Sequence, residues 1–133
     1  MNARFFFPIL ILLTSCSTFN KKVVDCPNLS SPKKASEIIV NSNNNRPVYL
    51  GIRGVKLTCI MNKKNIAMEA SINIRAIRNF TKDEDYAPVT LSIVSVDENN
   101  KEFDRDEFSY SQFLLLGSKI VDRTTNMKLN VPL

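Results

Sequence analysis

From Ile66 to Ala76 the chain alternates. Ile66, Met68, Ala70, Ile72, Ile74 and Ala76 are apolar, and Ala67, Glu69, Ser71, Asn73 and Arg75 fall between them. A period of two puts one face in a core and the other in water, so the stretch predicts a strand. Wound as a helix, the same apolar residues would scatter around the cylinder. Ile77 breaks the alternation and predicts a bulge or the strand's end. Shorter runs surround it. SEIIVNS is stopped by Asn43, Asn44 and Asn45, and PVYLGI and VKLTCIM are separated by Arg53 and Gly54. NKKN, Asn62 to Asn65, reads as a hairpin connection. In VTLSIVSV, Val89 to Val96, apolar residues fall on both faces, which predicts a central strand. DENNKE, Asp97 to Glu102, predicts a turn before EFDRDEFSYSQF, whose Phe103, Phe108, Tyr110 and Phe113 are the candidate buried aromatics. A helix over Ser111 to Leu116 competes with a strand there, and Gly117 would end it quickly. KIVDR is a short strand candidate, and NMKLNVPL alternates Met127, Leu129 and Val131. Seven or eight short strands with polar turns predict an all-β fold, an antiparallel β-sandwich of immunoglobulin or fibronectin kind.

The first residues follow a different rule. MNAR carries positive charge, Phe5 to Leu13 are nine apolar residues, and Thr14 and Ser15 are small and precede Cys16. That is the order of a secretory signal peptide, and the run falls short of the roughly 20 apolar residues of a spanning helix. Leu13-Thr14-Ser15-Cys16 resembles a bacterial lipobox. The resemblance implies cleavage before Cys16, a thioether to diacylglycerol on its sulfur, and acylation of its new amino terminus. A plain secretory peptide and an uncleaved anchor are the competing readings. Ser17 stands where an aspartate would signal retention in the inner membrane, so the resemblance implies the outer membrane, facing the periplasm. The expected division is a signal peptide over 1–15, a lipidated cysteine and tether over 16–34, and a β-sandwich over 35–133.

Composition narrows the functional classes. Without residues 1–15 the chain keeps 118 residues, enough for one domain. It then has 17 basic against 13 acidic residues, a net charge of +4. Lys21, Lys22, Lys33 and Lys34 come in pairs without interleaved aromatics, so nucleic acid is not an expected partner. Their closeness to Cys16 suits either a solvated tether or an anionic headgroup surface. Cys26 and Cys59 remain. In an oxidising compartment an even pair predicts a disulfide, with two free thiols or an intermolecular bridge as alternatives.

Chemistry is sparsely represented. Histidine is absent, which removes the commonest general base and transition-metal ligand. There is no nucleophile elbow and no phosphate-binding loop, and only Gly51, Gly54 and Gly117 are glycine. Acidic residues cluster at Asp83, Glu84 and Asp85 and again from Asp97 to Glu107. Asp97, Asp104 and Asp106 are weak candidates for calcium, because oxygen ligands two residues apart suit a loop site. Lys101 stands where a third oxygen belongs, and solvated turn charge is the simpler reading. Paired carboxylates of a glycosidase need an aromatic-lined cleft. The chain has no tryptophan. Tyr49, Tyr86 and Tyr110 suit either a partner surface or core packing.

Cys16, Cys26-Pro27, Cys59, the long strand from Ile66 to Arg78, and the terminal Pro132-Leu133 together resemble a group of small uncharacterised proteobacterial lipoproteins. The resemblance spans most of the chain and implies a location and an architecture, and no enzyme or cofactor. The expected function is a non-enzymatic envelope lipoprotein, anchored to the membrane through Cys16, whose domain docks an envelope protein by a sheet face, edge or loop. The alternative is a small-ligand or calcium-binding module using the acidic loops.

Overall fold

The computed structural model describes residues 22–133. In chain order they form β1 (Lys22–Val24), α1 (Lys33–Ser36), β2 (Glu37–Asn41), β3 (Pro47–Met61), β4 (Asn65–Ile77), β5 (Asp85–Val96), β6 (Glu102–Leu114) and β7 (Ile120–Pro132). Every pairing is antiparallel. In the larger sheet β3, β4 and β7 lie side by side, and β1 and β2 share the outer edge of β3; β5 and β6 form the smaller sheet. The fold is the all-β sandwich that the alternating pattern predicts. Its core joins Met68, Ala70, Ile72 and Ile74 of β4, Met127, Leu129 and Val131 of β7, and Ala87, Val89, Leu91 and Ile93 of β5.

Asparagine sets two of the hairpin turns. Asn45 and Asn100 adopt φ of 58° and 60°. In both turns the asparagine N–H donates to a residue three back, Ser42 or Asp97, while that residue's own N–H closes the loop on Arg46 or Lys101. Asparagine is among the few side chains that tolerate this left-handed backbone.

Several elements differ from expectation. PVYLGI and VKLTCIM are one strand, β3, with a register shift between Ile52 and Gly54 that leaves Arg53 as the extra residue of a bulge. KIVDR and NMKLNVPL likewise join into β7. No helix forms over 111–116; β6 runs to Leu114 and a turn follows it. β5 is not central, since it pairs with β6 alone. Its inward set is Asp85, Ala87, Val89, Leu91, Ile93 and Ser95, and Val94 and Val96 face outward. Ser95 can face inward because its hydroxyl donates to the Asn130 carbonyl at 2.7 Å. Pro88, on the same alternation as Tyr86, whose carbonyl accepts from Asn43 away from β6, sits where its missing N–H costs no ladder bond.

The aromatic expectation also fails. Phe103, Phe108 and Phe113 are exposed and Tyr110 is half-buried. β6 borders the rim of the sandwich, so its rings pair at the surface. Phe113 meets Tyr86 at 5.2 Å between centroids, and the Arg123 guanidinium lies 4.0 Å over Tyr110. β1, finally, falls inside the stretch expected as tether. Val24 pairs with Cys59, two residues along the chain from Cys26, so the disulfide and this short pairing hold one another in place.

The seam between β6 and β7 is closed by side chains. The Asp104 carboxylate accepts from the Asn130 N–H at 2.8 Å, and Asp106 from the Lys128 N–H at 3.1 Å. An edge strand with unmet N–H groups invites pairing with another chain, and these carboxylates occupy that edge. Replacing both with alanine should speed amide exchange at Lys128 and Asn130 while leaving Met127 and Leu129 slow, as read by hydrogen-exchange NMR.

Candidate functional site

The two ends of the sandwich are built differently. At one end Lys22 pairs with Met61, and Asn65 with Pro132, so the described chain enters and leaves there. The Cys26–Cys59 disulfide lies close by, with the two Cα atoms 5.3 Å apart. It closes a loop over a separation of 33 residues. In the chain-entropy account a loop of that size stabilises the fold by about 4 kcal/mol.

At the other end three loops are tied together by two buried charges. Arg78 is 3% exposed. Its Nε donates to the Ser118 carbonyl at 3.0 Å, one terminal nitrogen to Asp83 O at 2.9 Å, and the other to Leu115 O at 2.7 Å and Leu114 O at 3.4 Å. This places a planar five-donor fork at the one spot where backbone carbonyls converge from both loops. Asp85, also 3% exposed, accepts the N–H groups of Tyr86 at 2.8 Å and Asn44 at 3.2 Å. Burial pushes its carboxyl up. The Ser42 hydroxyl, the two amides and the charge of Arg78 outweigh burial and hold it below the ordinary 3.8. Asp104 is lowered by the Asn130 amide, and Asp122 by its bond to Arg75.

A depressed folded pKa stabilises above the unfolded value and loses that contribution as pH falls through the folded value. Stability should therefore stay level from neutral pH down to about 5 and fall below about 4, as melting temperature against pH would record. Asp85→Asn should flatten the acid limb.

Between these ends, the outer face of the larger sheet carries an ordered surface. Ile39, Tyr49, Ile77 and Ile120 are successive register partners across β2, β3, β4 and β7. Ile39 is 61% exposed, Tyr49 44% and Ile120 51%. One row further along, Glu37, Gly51, Arg75 and Asp122 are likewise in register. Arg75 grips Asp122 with Nε at 2.8 Å and a terminal nitrogen at 2.9 Å. Gly51 leaves a gap in this row. A Cβ there would meet only the Ser36 carbonyl, at 4.0 Å. The bulge at Arg53 adds a guanidinium near Asp122, which it helps hold ionised. The result is an open hollow of about 520 Å³ with apolar and charged walls. Gly51 lies ten residues along β3 from Met61, about 33 Å at ordinary strand rise.

The residues singled out from sequence scatter. Cys16 lies outside the described residues, and Cys26 and Cys59 are joined. Asp97, Asp104 and Asp106 do not converge as ligands. One Asp97 oxygen accepts the N–H groups of Asn99 and Lys101 within its own turn, and the other two aspartates serve β7. Among the described residues no three acidic or thiol side chains gather at a common point. Tyr49 sits on the outer face, Tyr86 on the opposite outer face, and Tyr110 at the rim.

Glu37, Gly51, Arg53 and Arg75 are not among the site residues that the sequence suggests. The one signal for them is Arg53-Gly54 interrupting two apolar runs, and a bulge is a usual way to re-aim a side chain beside a site. No protein-family model, curated protein or solved structure matches this chain.

Proposed function

We propose that the chain is a non-enzymatic lipoprotein of the bacterial envelope, held at the membrane by an acylated Cys16, which docks a protein partner through the outer face of its larger sheet. The observation that supports this most is the outward-facing row of exposed Ile39, Tyr49 and Ile120 with half-buried Ile77, beside the gap at Gly51. A solvated outer sheet face is ordinarily polar. A continuous apolar row flanked by charges marks an interaction surface instead.

The geometry suits a tethered module. Five residues lie between Cys16 and Lys22, and the six steps reach at most about 22 Å. The hollow lies at the other end of β3, so an anchor near Lys22 leaves it turned away from the lipid. Two of the three acyl chains suffice for stable membrane attachment. The lipobox resemblance supports the anchor, the outer membrane and the oxidising compartment that the disulfide needs. A calcium-binding module is the weaker reading, because Asp97, Asp104 and Asp106 already serve backbone amides.

A photo-reactive amino acid at Tyr49 in the envelope should yield protein adducts, and the same group at Ser109, on the outer face of β6, should not. Equal adducts from both positions would overturn the docking face. Cys16→Ser should leave a longer, unacylated precursor, and normal lipid labelling of that variant would refute the anchor.

A further inference from the structure

We infer that the partner of this face is a second copy of the same chain, packed sheet to sheet about a two-fold axis running along β3 over Gly51. The inference rests on the reading of this face as a docking surface. The face is complementary to itself. Along the row Glu37–Gly51–Arg75, opposite charges flank a residue with no side chain, each one strand away from it. An axis parallel to β3 exchanges the positions of β2 and β4 between two facing sheets. Each Glu37 then faces the Arg75 of the other copy, and Gly51 faces Gly51. The row beside it matches as well, with Ile39 opposite Ile77 and Tyr49 opposite Tyr49.

The charges are available for this. Glu37 makes no side-chain hydrogen bond among the described residues, and Asp122 engages only Nε and one terminal nitrogen of Arg75. Arg53, near enough to Asp122 for its charge to be felt there, adds to the positive side of the patch that Glu37 of the facing copy meets. Facing sheets pack about 10 Å apart, and the missing side chains at Gly51 leave room on the axis beside the two Tyr49 rings that meet one row along. A two-fold interface needs one self-complementary patch, and the closed pair leaves no repeat of the contact to build a fibre.

The patch is small. Three strands by five residues is roughly 15 by 17 Å, less than the ~800 Å² that a standard interface buries on each partner. Such a pair is weak between free molecules and forms where a common membrane raises the local concentration.

The test uses the full chain in its envelope. Gly51→Cys introduces a free thiol beside the axis, since Cys26 and Cys59 are bonded, and Tyr49→Cys supplies a second position. A short bismaleimide should convert either variant to a species of twice the mass. Glu37→Arg in the same chain sets arginine against arginine and should lower that yield about tenfold, and Arg75→Glu should do the same by setting two carboxylates together. Expressed together with distinguishable tags, the Glu37→Arg and Arg75→Glu chains carry matched charges at both contacts, and their mixed pair should return to the original yield. Two outcomes overturn this two-fold pair while leaving the docking face standing. One is a cross-linked product with a different protein, and the other is a doubled species indifferent to the Glu37 and Arg75 changes. No product from either cysteine position would overturn the second copy, and the Tyr49 photo-adducts then decide the docking face alone.

Discussion

Replacing Arg78 with methionine is expected to lower the free energy of unfolding by about 3 kcal/mol or more, the largest loss from any single side chain outside the disulfide. Methionine keeps much of the volume and removes every donor. The carbonyls of Asp83, Leu114, Leu115 and Ser118 then lose their partner in a site from which water is largely excluded. Each unmet buried acceptor costs about 1–3 kcal/mol, and partial rewetting of the loop ends brings the sum below simple addition. Asp85 would also lose the nearby positive charge that helps keep it ionised. Arg78→Lys should fall between the two, because an ammonium has three donors and cannot span the same fork. Denaturant melts of the three proteins provide the check. A methionine variant within about 1 kcal/mol of the parent would show that the carbonyls find water readily.

The second large effect is the disulfide. Changing Cys26 and Cys59 together to alanine should destabilise by about 4 kcal/mol, from the freed loop in the unfolded chain and the sulfur volume lost at Cys59. Cys59 is 1% exposed, so the truncation leaves a cavity in the core. The loss should have a local signature as well. β1 has only three residues, and its pairing with Met61, Ile60 and Cys59 is held by the bond beside it. Amides of Lys22–Val24 should exchange at the rate of an unstructured chain in the double variant, while those of β4 keep their rank order of protection. An unchanged melting midpoint on reduction would contradict both parts.

How much of this was legible depended on whether one face of a strand was clean. β4 was plain, because its buried face is Met68, Ala70, Ile72, Ile74 and Ala76 without exception. β5 was misjudged as central because Val94 and Val96 face solvent while Ser95 and Asp85 face inward. Those two inward polar groups are possible only through partners far along the chain, Asn130 for one and Asn44 for the other. No local pattern carries that information. Arg78 was visible only as the charged residue that ends a long strand. Its role needs four carbonyls from two loops to converge on one point. The asparagine turns were legible because a left-handed backbone is a local demand. The phenylalanines of β6 misled for the opposite reason. Large apolar rings usually mark a core, yet Phe108 pairs with Tyr110 beside Arg123, and Phe113 pairs with Tyr86 at the surface.

The candidate face was the least legible part. Its four-strand rows exist only through the registers of β2, β3, β4 and β7. Ile39, Tyr49, Ile77 and Ile120 are spread over more than eighty positions; Tyr49 is a candidate for a partner surface and Ile77 a break in the alternation, but nothing in the sequence joins them to Ile39 and Ile120. The sequence marks Arg53 and Gly54 as a break between two strands, whereas Arg53 is the extra residue of a bulge within one strand.

Tyr49 and Tyr86 provide an internal comparison for docking through the outer face of the larger sheet. Each is 44% exposed, one on the outer face of the larger sheet and the other on the outer face of β5. Hydroxyl-radical footprinting should modify the two equally in the dilute purified protein. In the intact envelope, a docked sheet face predicts that Tyr49 becomes protected severalfold relative to Tyr86. Equal modification of both tyrosines in the envelope would contradict it.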